Sequence, residues 1–353
     1  MVIASSLPMG GLYLVEGRVG GGHGGGRIDR LQWMHRRDGR RALAGVLSRT
    51  TSTVGGFQAL LNGFSVDVEE AFHASAFEEE TPPESWNAQA SRVERNVALV
   101  LELLDRAGVK GTFFILGWVA DRHPAIVRTI HGEGHEIACH GFAHRRIYTQ
   151  SPETFERDVA RAKGVLEDII GERIIGYRAP SFSITPLSVW ALDILATLGF
   201  EYDSSIFPVR HDRYGFPGAP RFPYRLSTSG GASVIEVPPS SLQVAGRNIP
   251  VAGGGYLRLY PYVLTRFSIE RLNHGEGEPA FIYVHPWELD RDQPRLSPRV
   301  LKWWRHSVGI GRIPDRLERL FRRFAFGRFR DVIASRDDWT SHRIDERGSF
   351  ERD

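Results

Sequence analysis

The run Asn62-Gly63-Phe64-Ser65-Val66-Asp67-Val68-Glu69-Glu70-Ala71-Phe72-His73 decides how the rest of the chain is read. Phe64 and Val66 alternate with polar positions at the two-residue period of a β-strand, and the run ends in carboxylates. The same period puts Asp67 and Glu69 on one side of that strand end. Two acids delivered to one spot need partners. Candidates follow other apolar, strand-like runs: His140-Gly141-Phe142-Ala143-His144, Arg178-Ala179-Pro180, Asp203 and His285-Pro286-Trp287.

Outward from this run, strands alternate with helical patterns. Residues 92–107 place Val93, Val97, Val100, Leu101 and Leu104 on one face and stop at Gly108. Gly111 to Leu116 reads as a buried strand, 123–131 as a helix, and Glu136 to Cys139 as a short strand leading into His140. Ser151-Pro152-Glu153 opens a helix that runs to about Ile170, with Ser at the cap and Pro at the first position. Thr185-Pro186 opens another helix, to Leu198, before the strand that leads to Asp203. Strand, polar loop and helix repeat, which predicts a mostly parallel α/β fold, barrel-like, with its site at the strand C-terminal ends.

Beyond Ser205, residues 207–225 are rich in Pro, Arg and aromatics and predict a long ordered loop over the site. Val234–Val237 and Phe281–Val284 read as further strands. Residues 313–326 form a basic amphipathic helix with Ile313, Leu317, Leu320, Phe321 and Phe324 as its stripe, predicted to pack on the barrel in preference to lying on a membrane. The segment after about Phe329 is charged and is predicted to fray.

The 353 residues suffice for a sizeable core, and 41% hydrophobic with 25% charged residues is the balance of a soluble globular protein. Net charge is +3, but residues 1–56 hold eight Arg against Glu16, Asp29 and Asp38, so the remainder is negative. A nucleic-acid surface therefore finds no support in the main body. The Gly/Arg-rich residues 1–58 cannot bury enough apolar surface to offset their ordering entropy and read as a disordered leader or a mis-assigned start, with a His/Gly metal-binding or nucleic-acid-binding tail as the alternative. One cysteine, Cys139, excludes an internal disulfide framework, and it reads as buried filler. No run of 18 apolar residues is present and a secretory signal is poorly supported. The expected location is cytoplasmic, with periplasmic or membrane-peripheral placement as alternatives.

His-x-x-x-His alone is equally a chance or structural pair. After a strand, and beside Asp67-Val68-Glu69, the metal-ligand reading is preferred, because two imidazoles and a carboxylate suit Zn, Co or Ni and leave room for water. His73 reads as solvated. Trp287, Phe182 and Tyr256 could stack on sugar rings or belong to the core.

These motifs, in this order, resemble the polysaccharide deacetylase family, carbohydrate esterase family 4 with the NodB-type domain. The matching residues are Ser-Val-Asp67-Val-Glu69, His140-Gly-Phe-Ala-His144, Arg178-Ala-Pro180-Ser-Phe182, Tyr202-Asp203-Ser-Ser and Tyr-Val-His285-Pro-Trp287. Pro238-Pro239-Ser240, the Gly run before Tyr256 and His-Pro-Trp-Glu288 resemble a subgroup associated with exosortase and exopolysaccharide loci. The resemblance implies a deformed (β/α) barrel over 59–290, a family-specific extension over 240–326 and a charged tail over 327–353. It also implies a divalent metal, zinc foremost, on Glu69, His140 and His144, and an N-acetylated glycan as substrate. By the same resemblance Asp67 is the base, although Asp67 and Glu69 could exchange roles, since the commoner motif has adjacent aspartates where Val68 stands here. His285 would be the acid, Arg178 would orient Asp67, and Asp203 would orient His285 and keep it protonated. Allantoinase-like members share the Asp-x-Glu variant, so a small cyclic amide is the rival substrate, and a catalytically inactive glycan-binding module is the rival of another class.

Overall fold

The computed structural model describes residues 60–352, apart from 212, 229 and 252. Thirteen strands are defined among these residues: β1 Asn62–Val68, β2 Thr112–Ile115, β3 Glu136–Cys139, β4 Gly176–Tyr177, β5 Tyr202–Asp203, β6 Tyr224–Thr228, β7 Ser233–Glu236, β8 Ser241–Val244, β9 Arg247–Pro250, β10 Phe281–Val284, β11 Phe326–Gly327, β12 Thr340–Ile344 and β13 Phe350–Arg352. The helices are α1 Val93–Ala107, α2 Gly117–Arg122, α3 Pro124–Gly132, α4 Pro152–Ile170, α5 Ala191–Thr197, α6 Gly255–Leu259, α7 Tyr262–Glu270, α8 Val300–Ser307, α9 Ile313–Arg323 and α10 Phe329–Ala334.

The large sheet runs β10-β1-β2-β3-β4-β5-β7-β6-β12-β13, and every pairing from β10 to β7 is parallel. Every residue of β1 is buried, as befits a strand covered on both faces. Its ladder does not close into a regular barrel. Instead the chain leaving β7 crosses to β10, where Ser240 N–H donates to the Phe281 carbonyl (3.2 Å) and the Ser240 hydroxyl accepts from Phe281 N–H (2.8 Å). The predicted parallel α/β architecture holds, with this irregular crossing in place of a last strand.

Most predicted helix patterns match what forms, but the helix expected from Thr185 begins only at Ala191, after a short turn at Pro186–Ser188, and the one expected over 313–326 stops at Arg323, with Phe326 in β11. In α1, Val93, Val97, Val100, Leu101 and Leu104 are buried and Gly108 ends the helix in the left-handed conformation. Ser151 caps α4, its hydroxyl accepting from Thr154 N–H (3.3 Å). The α9 stripe of Ile313, Leu317, Leu320 and Phe321 is buried, with Phe321 edge-on to Phe64 of β1, so this helix packs on the sheet.

One expectation is corrected. The charged C-terminal segment does not fray: Phe329 is fully buried against Phe114 and Phe281, and β12 pairs in parallel with β6 from Thr340↔Tyr224 to Ile344↔Thr228. A few apolar residues, Phe329, Val332, Trp339 and Ile344, reach the core from between charged neighbours. Residues 1–58 lie outside the described residues. No helix among the described residues is long and apolar enough to cross a membrane.

Candidate metal and catalytic site

β1 delivers Asp67 and, one residue beyond its end, Glu69, and both are buried. The loop after β3 delivers His140 and His144. It turns at Gly141 (φ 71°) and is held by Asp158 of α4, whose carboxylate accepts from the N–H groups of Phe142 (2.7 Å) and Ala143 (3.1 Å). His144 itself has φ 50°, a left-handed conformation that a residue with a Cβ adopts at a cost, and the loop spends that strain on aiming its ring.

His144 Nε2 lies 2.6 Å from Glu69 Oε2 and His140 Nε2 lies 4.0 Å from it. His140 Nδ1 sits 2.8 Å from the Arg178 carbonyl, which only accepts, so Nδ1 carries the proton and Nε2 presents a lone pair. Burial pulls the His140 imidazole down to about 4, which keeps it neutral. Burial also pushes the Glu69 carboxyl upward, but His144, His285 and His140 outweigh it and hold it well below the usual carboxylate range. Glu69 Oε2 is buried and faces the two imidazoles, with no hydrogen bond to a donor outside them. An ionised carboxylate and a neutral imidazole with its lone pair inward, with the ligand atoms of Glu69, His140 and His144 within 4.8 Å of one another, are a donor set that fits a divalent cation.

Asp67 is held by Arg178, buried at the end of β4. The guanidinium donates to Asp67 Oδ1 (2.6 Å), Ser65 Oγ (2.9 Å) and Ser204 Oγ (2.9 Å), and it lies 4.0 Å over the Phe114 ring. Across the cavity, His285 follows β10, with Nε2 3.8 Å from Glu69 Oε1. Burial lowers the His285 pKa, yet the hydrogen bond and charge of Glu288, with Glu69 and Asp67 behind, overcome it and raise the ring to about 9. Trp287 stacks on the His285 ring (4.9 Å) and its Nε1 donates to Glu69 Oε1 (3.4 Å). These groups floor a cavity of about 250 Å³ walled by Phe182, Tyr283, His211 and Tyr214.

Residues 86–202 match the family profile described as polysaccharide deacetylase. The chain carries a polysaccharide deacetylase domain. The match takes in His140, His144 and Arg178, whereas His285 falls in residues 204–334, which match a profile described as a domain of unknown function, DUF3473. Among relatives, the chain is 31% identical over 112 residues to a peptidoglycan deacetylase-like protein of Gibberella zeae, across 31% of this chain and 32% of that protein. The chain thus spans about a third of that relative's length. Two solved structures share the fold: a polysaccharide deacetylase structure from Mycobacterium smegmatis (22% identity, TM-score 0.52) and Puue allantoinase (14%, TM-score 0.50), each aligned over 77% of this chain and 88% of the other.

The structure brings together Asp67 and Glu69, which precede the matched residues, with His140, His144 and Arg178 inside the deacetylase match and His285 beyond it. It does not bring Asp203 to His285. Ser204 turns inward to Arg178, so by strand alternation Asp203 turns the other way, toward Glu236, its register partner on β7. Burial pushes both carboxyls up. The partner of His285 is Glu288, whose Oε2 accepts from the His285 backbone N–H (2.9 Å) and lies 3.1 Å from Nδ1, and whose Oε1 accepts from Arg258 Nε (2.7 Å). An acid three residues after a candidate acid histidine was the available signal. Asp158 had none, since it acts from mid-helix on a distant loop.

Two lesser expectations also change or sharpen. His73 is buried, edge-on to Trp86 and Trp118, with Nδ1 accepting from Glu70 N–H (3.1 Å), and is not solvated. Cys139 is buried as expected, and burial pushes its thiol up to about 12.

Proposed function

We propose that this protein is a metal-dependent hydrolase that removes N-acetyl groups from the amino sugars of a polysaccharide, an exopolysaccharide or its precursor. The observation that carries the reading is the convergence of a Glu69, His140 and His144 donor set with two separately held proton carriers, Asp67 and His285, on one cavity. A divalent cation held by those three residues, zinc by the ligand chemistry, supplies Lewis acidity toward a carbonyl and acidifies water.

The chain's own residues do the rest. Asp67, oriented by Arg178, takes the proton from the attacking water. His285 presents Nε2 to the cavity because Nδ1 is turned to Glu288, and it gives its proton to the departing amine nitrogen, which leaves badly as an anion. One amide and one water become acetate and a free amine. Phe182, Tyr283 and Tyr214 offer apolar ring faces of the kind that sugar rings stack on.

A small cyclic amide is the second reading, favoured by the wall that His211 and Tyr214 of the 207–225 loop raise along one side of the cavity. The test is acetate release from N-acetylglucosamine oligomers and from bacterial exopolysaccharide by metal-loaded protein, beside Asp67→Asn and His140→Ala, with ring opening of allantoin in parallel. Acetate from the wild type that disappears in both variants and after chelation supports the deacetylase. Ring opening without acetate selects the second reading.

A further inference from the structure

The helix α8 lies with one face against the site. Trp303 and His306 pack on Phe77 (ring centroids 6.3 and 4.6 Å), and His306 stacks on Trp287 (4.4 Å), which itself stacks on His285. The opposite face is bare, with Val300, Leu301 and Trp304 exposed by 71, 62 and 55%. On a second flank of the cavity Tyr256 of α6 shares a hydrogen bond with Tyr214 (2.9 Å), and beyond it Leu259, Val263, Leu264 and Phe267 of α6 and α7 face outward. The two flanks meet at Arg258, whose guanidinium donates to the carbonyls of His306 and Val308.

Seven of the ten large exposed apolar side chains among the described residues therefore belong to these helices. The positions 263, 264 and 267 and the positions 300, 301 and 304 repeat the same spacing, one stripe per helix. The surroundings of the α8 stripe are basic. Residues 291–312 hold five Arg and one Lys against Asp292 alone, and although Glu79 and Glu80 reach Arg299 and Lys302, the surplus stays positive. Apolar stripes flanked by positive charge complement the interface of an anionic bilayer. A second copy seated face to face would set these positive flanks against each other.

We infer that the outward faces of α6–α7 and α8 are a membrane-docking surface that seats this flank of the cavity on an anionic phospholipid bilayer. The docking does not depend on which bond the site cleaves. The test is co-sedimentation of the full chain, metal-loaded, with phosphatidylcholine vesicles with and without phosphatidylglycerol, for wild type, Leu301→Ser/Trp304→Ser and Val263→Ser/Phe267→Ser. Wild type should sediment with the anionic vesicles only, each double variant should partition about tenfold or more weakly, and thermal unfolding midpoints should stay put because the substituted side chains are exposed. Wild type that fails to sediment overturns the inference. So does binding that the variants retain in full, which would assign it to another part of the chain. A dimer in sedimentation velocity that the variants abolish, with no vesicle binding, would assign the surface to a second copy instead.

Discussion

Replacing Glu288 with Gln tests the device that arms His285. The substitution keeps the shape and removes the charge that accepts from His285 and pairs with Arg258. In the native protein Glu288 is the foremost influence opposing burial, and the ring sits at about 9 against an ordinary 6.5. At about 1.4 kcal/mol per unit, that gap is on the order of 3 kcal/mol. Without the charge the ring should fall by about two units, so at pH 8 its protonated fraction drops from about nine-tenths to about one-tenth. Acetate release by the variant should therefore be about tenfold lower at pH 8 and within about twofold of wild type at pH 6, with the alkaline limb of the kcat profile moved down by about two units. The sign for stability follows. Folding raises this pKa, so its contribution is fully present below about pH 6.5 and is lost as pH climbs through about 9. Urea unfolding of wild type should lose stability across that window, and the variant should lose less. An alkaline limb that stays in place, with activity reduced equally at every pH, would refute the assignment and leave Glu288 a structural residue.

Asp158→Ala removes two charge-assisted hydrogen bonds from the His140–His144 loop, each worth about 1.5–3 kcal/mol, and chelator competition should show metal affinity reduced about tenfold or more. Arg178→Met strands a buried Asp67, and denaturant titration should read a loss of about 3–5 kcal/mol. Glu70→Ala deletes an acceptor that takes the N–H groups of Arg92 and Val93 and the Ser91 hydroxyl at the start of α1, which should cost about 1–2 kcal/mol in the same assay. A variant as stable as wild type would show that Ser91 or water replaces the cap.

The part of the site that sequence made legible is the part carried by strand ends. Asp67 and Glu69 share a side by alternation, and His140 and Arg178 stand directly after β3 and β4, so a parallel sheet had to bring them to one end. The pairing of Arg178 with Asp67, implied by the resemblance, came out as expected. The partner of His285 did not, because Asp203 and Glu288 both stand near strand ends. Which one turns inward depends on a one-residue phase that Ser204 settles by bonding Arg178. His73 escaped for a similar reason: its burial is made by Trp86 and Trp118, distant in sequence. The C-terminal strands escaped because Phe329 and Ile344 are isolated among charges, and β12 gains its place only from a register with β6.

The pairing of β1 with β10 joins residues as far apart as Ser65 and Ile282, 217 positions along the chain. During synthesis at about 5–20 residues per second, roughly ten to forty seconds separate the emergence of the two. Late in that interval the nascent protein holds Asp67, Glu69, His140 and His144 but not yet His285, and β1 offers a bare, apolar edge to whatever strand arrives first. β10 thus covers that edge and brings His285 to the site in one step.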